Sequence, residues 1–182
     1  MILCLICARQ GSKRLPKKNL KKINNVSLLG ISINQAKTCP EIDEVIVSTD
    51  CEEISREAKA FGANVPFLRP PKLAEDQTPE WKVWQHALNF YKDKKLKALV
   101  ILPTTAPLRD KIDIESAINI FKSNICDGVL SVTDSYRNPS FNMVKENSHK
   151  YAQLAIEPSK NIYRTQDAEK YFDLTTVCYV MN

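Results

Sequence analysis

Glycine is scarce in this chain: four occur in 182 residues, at Gly11, Gly30, Gly62 and Gly128. No two of them have the spacing of a G-x-x-x-x-G-K-[ST] phosphate loop or of a G-x-G-x-x-G dinucleotide turn, which excludes both of those ways of holding a nucleotide. Long apolar runs are lacking as well. The N-terminal run covers seven residues, positions 2–8, with no basic segment ahead of it. It is too short for a signal-peptide core or a membrane span, so the expectation is a soluble, cytoplasmic protein without a membrane partner.

Cysteine is present six times, but in a chain with no secretory feature and enough length to fold unaided. Reduced thiols are therefore expected. Cys4 and Cys7 form a C-x-x-C in an apolar run that reads as a strand. Positions i and i+3 of a strand project to opposite faces, so the pair cannot chelate one metal. Hydrophobic residues make up 43% and charged residues 26%, the range of ordinary globular domains. No repeat or low-complexity linker interrupts the chain, and one domain over residues 1–182 is expected.

What the sequence does have is alternation. Ile2–Cys7 reads as a central strand buried on both faces. Residues 27–38 read as a helix with Ser27 as N-cap and Leu28, Leu29, Ser32 and Ala36 near one face. Glu44–Ser48 is a second strand. Asp50, with Glu53 at capping-box spacing, is expected to cap the next helix, and Gly62 to end it. A proline-rich loop over 66–79 leads into a helix starting at Thr78-Pro79, with Trp84, Ala87, Leu88 and Tyr91 on its apolar face. Residues 97–102 form a third strand. Ile114, Ala117, Ile118 and Phe121 mark another helix, begun at Asp110 and Asp113, and residues 128–132 a fourth strand. Shorter extended pieces follow from Asn142, ending in the apolar run 174–181. This predicts an α/β fold: a mostly parallel open sheet with helices on both faces and a small antiparallel excursion late. Ligands of such sheets sit outside the carboxyl ends of the strands.

Net charge is +5, and it is unevenly spread: residues 9–22 hold seven basic side chains and no acidic one. The stretch follows the first strand directly. Ala8 and Gly11 allow a tight turn that brings N–H groups near an anion, while Arg9, Lys13 and Lys18 neutralise phosphate oxygens. A nucleic-acid-binding module would also use such a stretch. Residues 9–22 contain no aromatic for base stacking, however, and no helix-turn-helix, zinc-finger or RNA-recognition signature accompanies them. No nucleic-acid partner is expected.

The stretch reads A-R-x-G-S-K-R-L-x-x-K-N, and it resembles the signature of the N-acylneuraminate cytidylyltransferase family, which makes CMP-activated sialic acids and related nonulosonic acids. Four more landmarks follow in order: Ser48-Thr49-Asp50; Leu68-Arg69-Pro70 with Leu73-Ala74-Glu75-Asp76; Pro103 through Arg109, matching P-T-x-P-L-R; and Arg164-Thr165-Gln166-Asp167 with the strand behind it. The resemblance implies a Rossmann-like fold of the nucleotide-diphospho-sugar transferase type, a homodimer, and the reaction of CTP with a nine-carbon sugar acid to give CMP-sugar and pyrophosphate. By position, Arg9 and Lys18 would be catalytic through the triphosphate, with Ser12, Lys13 and Asn19 beside them. Ala8, Gly11, Glu75 and Asp76 would line the cytidine side. Thr105, Arg109, Arg137, Arg164 and Gln166 would meet the sugar acid.

The chemistry brings two anions together, so cations must lower the repulsion, and Mg2+ is the implied cofactor. Neither His86 nor His149 falls in a landmark, and no side-chain nucleophile is required. Trp81 and Trp84 read as core aromatics. The family's magnesium-holding aspartates lie past the strand matching 174–181, so the reading is of a fragment whose metal ligands lie beyond Asn182. Two departures concern the acceptor: Thr175-Thr176 where sialic-acid-specific members carry Asn-Gly, and Pro103 where many members have Gln. Arg137-Asn138-Pro139 with Phe141-Asn142 is closer to members that activate legionaminic-type sugars. A non-catalytic nucleotide-binding relative, or an enzyme for a different sugar acid, are the alternatives.

Overall fold

The apolar N-terminal run forms β1 (Ile2–Cys7), and its buried sequence decides the rest of the layout. The computed structural model describes residues 1–123, 126–158 and 161–182. After β1 comes a loop closed by a short hairpin, β2 (Lys22–Ile23) and β3 (Val26–Ser27). Then follow α1 (Leu28–Lys37), β4 (Glu44–Ser48), α2 (Glu52–Ala60), α3 (Glu80–Asn89), β5 (Ala98–Ile101), α4 (Lys111–Lys122) and β6 (Gly128–Asp134). The last strands are β7 (Val144–Glu146), β8 (Ala152–Leu154) and β9 (Phe172–Met181).

The main sheet has the order β4-β1-β5-β9-β6. β1 pairs in parallel with β4 on one side and β5 on the other, so Leu5 stands opposite both Ile46 and Ile101. β9 enters antiparallel to β5, with Val180 opposite Val100. The period-2 alternation of β1 sorts its side chains between two cores. Cys4, Ile6 and Ala8 pack with Leu29 and Ile33 of α1, Ile54 of α2 and Ile114 and Ile118 of α4. Leu3 and Leu5 pack on the other face with Ala87 of α3 and with Tyr91. Helices thus cover both faces, as the alternation predicted.

Contacts divide the chain into two units, residues 1–131 with 176–182, and residues 132–175. The second unit is held by its own bonds. β7 and β8 form an antiparallel hairpin with Lys145 opposite Gln153, and Asn138 Nδ2 donates to the Glu169 carbonyl at 2.7 Å. Among the described residues no helix is long and apolar enough to cross a membrane.

Local signals account for several helix ends. Ser27 Oγ accepts from Gly30 N at 3.0 Å and caps α1. Asp110 and Asp113 make a reciprocal capping box at the start of α4, and Gly62 follows α2 at φ 81, the left-handed region glycine adopts freely. Three expectations need correction. Cys51, not Asp50, is the N-cap of α2, and no side chain caps it; the Asp50 carboxylate accepts instead from Gln10 N at 2.9 Å. Pro79 stands at the N-cap of α3 rather than one position inside it. Trp84 packs on the Leu5 side of the sheet, but Trp81 is 48% exposed, because it projects from the helix away from that core. His86 acts as a packed aromatic, edge-on to Phe67 with centroids 4.6 Å apart, and burial keeps its pKa low.

Gly30 marks a close approach of α1 to α2. A Cβ there would lie 2.5 Å from Cζ of Phe61, the C-cap of α2. Alanine is favoured over glycine in a helix by about 1 kcal/mol, yet forcing the ring aside costs about 1–3 kcal/mol. Gly30→Ala is therefore expected to lower the urea midpoint, and adding Phe61→Leu should recover most of the loss. A more stable single variant would refute the contact.

Candidate active site

Because β1, β4 and β5 run parallel and in register, their carboxyl ends open at one edge. Ala8 N donates to the Ser48 carbonyl at 3.0 Å, and Leu102 N to the Leu5 carbonyl at 3.2 Å. The loops that leave this edge enclose a cavity of about 670 Å³. The loop after β1 contributes Arg9, Ser12, Lys13, Arg14, Lys18 and Asn19 to its wall. The segment after β4 adds Arg69, Glu75 and Asp76, Glu80 comes from α3, and Thr104 and Thr105 follow β5.

The basic loop is shaped by specific bonds rather than left as a free tether. Its left-handed residue is Lys17, at φ 53, which starts the 3-10 turn Lys18–Leu20. Gly11 is not at positive φ, and a Cβ there would meet nothing within 4 Å. Asn19 closes the loop: it is 4% exposed, its Nδ2 donates to the Arg9 carbonyl at 2.9 Å, and its Oδ1 accepts from Thr104 Oγ1 at 2.7 Å. Lys17 pairs with Glu53 at 2.9 Å, a bond that raises the lysine pKa.

Charge is concentrated across the cavity. Arg9 donates to the Ala74 carbonyl at 3.0 Å and to Asp76 Oδ1 at 2.8 Å. Lys13 pairs with the other oxygen of the same carboxylate. The Lys13 bond first, and Arg9 with it, hold the Asp76 carboxyl below the usual range. Arg14 and Lys18 line the wall with no ion-pair partner among the described residues. Arg69 is buried beneath them, its Nε on Ser48 Oγ at 3.0 Å and its Nη2 on the Ser48 carbonyl at 2.6 Å. Burial pulls its pKa down, and among the described residues no carboxylate pairs with it. Net positive charge on a concave wall with several fixed donors suits a polyanion such as a triphosphate.

The structure brings most of the residues named from sequence to this one wall: Arg9, Ser12, Lys13, Lys18, Asn19, Glu75, Asp76 and Thr105. Ala8 is fully buried, and neither it nor Gly11 lines the cavity. Arg109, expected at the sugar acid, is elsewhere. It is 4% exposed, and its guanidinium donates to the Val177 carbonyl, Gln35 Oε1 at 3.0 Å and the Pro103 carbonyl at 2.7 Å. The bond demand of a buried cation is thus met inside the fold, and Arg109 braces the turn that presents Thr104 and Thr105. Thr105 Oγ1 lies 3.3 Å from Thr176 Oγ1. In the unit 132–175, Arg137 and Gln166 line a recess of about 290 Å³ with Tyr136, Asn138 and Lys170. Arg164 does not line it; it is the N-cap of the 3-10 turn Thr165–Asp167.

Sequence reasoning passed over Arg69 and Thr104 as wall residues. Both stood inside motifs it had singled out, but nothing in a sequence shows that a buried arginine will border a cavity. Cys7 also lines the wall, where burial pushes its thiol up to about 12. Cys4 faces the opposite core, so the C-x-x-C does not converge.

A family model described as "Cytidylyltransferase" matches residues 3–179. The chain is 34% identical over 182 residues to the post-translational flagellin modification protein B of Campylobacter coli, covering 98% of this chain and 76% of that protein. It is 34% identical over 183 residues to the CMP-N,N'-diacetyllegionaminic acid synthase of Campylobacter jejuni, with the same two coverages, 98% and 76%. Among solved structures, a CMP:2-keto-3-deoxy-manno-octonic acid synthetase complexed with CTP is similar at TM-score 0.73 and 18% identity, over 99% of this chain and 73% of that one. A 4-diphosphocytidyl-2C-methyl-D-erythritol synthase from Anaerococcus prevotii is similar at TM-score 0.66 and 13% identity, over 100% of this chain and 70% of that one. At those identities the structures bear on the fold alone, and the fold is the α/β nucleotidyltransferase type the sequence implied.

Two measurements check this geometry. Burial pushes Cys178, like Cys7, up to about 12, and raises Cys4 further, while Cys126 is exposed. Titration with a chromogenic disulfide at pH 8 should find one fast thiol, absent in Cys126→Ser; several fast thiols would contradict the buried placement. Thr104→Val keeps the shape but leaves Asn19 Oδ1 without its donor, and should cost about 1–3 kcal/mol in denaturant unfolding.

Proposed function

The chain belongs to the cytidylyltransferase family, and from that premise we propose that it transfers CMP from CTP to a nine-carbon sugar acid of the nonulosonic class, releasing pyrophosphate. The observation that carries the proposal is the cation-lined cavity at the ends of β1, β4 and β5, with Arg9, Lys13, Arg14 and Lys18 on one wall. Identity with the Campylobacter jejuni legionaminic acid enzyme supports an acceptor of the legionaminic type, in keeping with the Arg137-Asn138-Pro139 sequence.

In this reading the triphosphate lies along the basic loop, and Arg9 binds a phosphate through two parallel N–H donors. The acceptor's anomeric hydroxyl attacks the α-phosphorus and the bond to the pyrophosphate oxygen breaks. Charge grows on the leaving group as it departs, and Lys18, Lys13 and Arg9 are the cations that stabilise it. Thr104 and Asn19 serve by keeping the loop in this shape. Arg137 and Gln166 are the groups we assign to the sugar acid's carboxylate and hydroxyls.

Magnesium belongs to the proposal as an ion accompanying the triphosphate. Among the described residues no three His, Cys, Asp or Glu side chains converge on one point, so they form no metal cage of their own. The chemistry assigned to this chain is therefore that of its arginines and lysines. We also propose a homodimer. Among its described residues the unit 132–175 exposes nine large apolar side chains, including Tyr136, Val144, Tyr151, Phe172 and Leu174, and a second copy would remove such surface from water. Six free thiols support a reducing, cytoplasmic setting.

Calorimetric titration tests the nucleotide half of the proposal. CTP should bind in preference to UTP and ATP, and a short DNA duplex should not compete. Arg9→Ala should weaken CTP by on the order of 2 kcal/mol. Equal binding of all three nucleotides would sink the cytidine assignment, and an unchanged Arg9→Ala affinity would remove Arg9 from the site.

A further inference from the structure

Of the loop cations that border the cavity, the two with acidic partners share the same one. Arg9 Nη2 takes Asp76 Oδ1 at 2.8 Å, and Lys13 Nζ takes Asp76 Oδ2. Each oxygen of the carboxylate thus serves one cation, as two oxygens of a phosphate would. Asp76 itself lines the cavity, so the carboxylate and an incoming polyphosphate would occupy the same volume. A second ion pair of the loop, between Lys17 and Glu53, lies apart, and neither of those residues borders the cavity.

The contact is placed to be exchanged rather than kept. Side-chain exposures are 34% for Arg9, 82% for Lys13 and 38% for Asp76, and exposed ion pairs contribute little net stability. The backbone on either side of Asp76 is fastened independently. Ala74 N donates to the Pro71 carbonyl at 2.9 Å, Thr78 N to the Glu75 carbonyl at 3.2 Å, and Thr78 Oγ1 to the Lys72 carbonyl at 2.9 Å. Arg9 is steadied separately through the Ala74 carbonyl. The Asp76 side chain is therefore free to turn away while the loop and the guanidinium stay where they are.

We propose that Asp76 is an internal stand-in for phosphate, which holds Arg9 and Lys13 across the empty cavity, yields them to the triphosphate, and reclaims them as pyrophosphate leaves. This rests on the CTP reading above. The gain to the reaction is at release. Pyrophosphate keeps the same phosphate oxygens that the loop bound in CTP, so a cavity built only of cations would retain its product. A carboxylate competing for two of those cations weakens pyrophosphate and, by the same contacts, holds the site in shape when no nucleotide is bound.

Sodium pyrophosphate without added metal is the probe, titrated calorimetrically into the whole chain and its variants. Asp76→Asn and Asp76→Ser remove the competing charge and should bind pyrophosphate about three- to tenfold more tightly, the range expected for loss of one or two exposed ion pairs. Asp76→Glu keeps the charge and should stay near the wild type. Glu53→Gln makes the same change in net charge but frees only Lys17, so its affinity should not move. Unchanged or weaker binding by both Asp76→Asn and Asp76→Ser would show that Asp76 merely supports the loop. Equal tightening by Glu53→Gln would show a general charge effect. Either result overturns the proposal while leaving the CTP reading standing. If the wild type bound neither CTP nor pyrophosphate, the CTP reading would fail, and this inference with it.

Discussion

Hydrogen bonding of β1 to a parallel neighbour on each side is the constraint from which the functional end of the molecule follows. Leu5 stands between Ile46 and Ile101, with Leu3, Leu5 and Ile6 fully buried. Each such side chain contributes roughly 1.5–3 kcal/mol by leaving water. A slip of one residue would exchange the two cores, putting Cys4 and Ile6 where Leu3 and Leu5 belong. Register is therefore fixed by packing, and the ends of β1, β4 and β5 are brought level. The basic loop, the Ser48 turn and the Thr104 turn meet there because their strands leave them no other place.

Two kinds of positive charge serve this edge, and burial separates them. Arg69 and Arg109 are enclosed, bonded to carbonyl and hydroxyl oxygens or to an amide, and act as fixed struts. Arg9, Lys13 and Lys18 are reachable from the cavity, and the first two share the Asp76 carboxylate at its rim. The difference follows from desolvation. A cation that has lost water needs its bonds satisfied permanently, whereas one at the surface loses little in giving up a partner.

The sequence was most informative where a local rule acts alone. β1, the Ser27 cap, the helix start at Asp110 and Asp113 and the ends of β4 could be read from neighbours within a few positions. Reading failed where a side chain had a choice between local and distant partners. Asp50 has the right spacing to cap α2 but bonds the loop after β1. Arg109 lies in a motif beside Thr105, yet it turns inward to acceptors at Gln35, Pro103 and Val177. Thr104 was hidden for the same reason: its partner, Asn19, is 85 positions away in the chain. Pairings of that separation are decided by the fold, so a motif marks the neighbourhood of a site more surely than the role of each member.

The three acceptors of Arg109 carry a consequence for how this region can vary. Two are backbone carbonyls, which no substitution at their own positions removes, and the third is the Gln35 amide, itself donating to the Pro107 and Arg109 carbonyls at 2.9 and 2.6 Å. Lysine, with a single nitrogen, cannot span acceptors set that far apart. A shorter side chain at position 35 would strand both the guanidinium and two carbonyls. Drift at position 109 or 35 alone therefore passes through a broken intermediate. Among diverging copies of this gene, positions 35 and 109 should be inherited as a pair, even as the solvent-facing residues between them change freely.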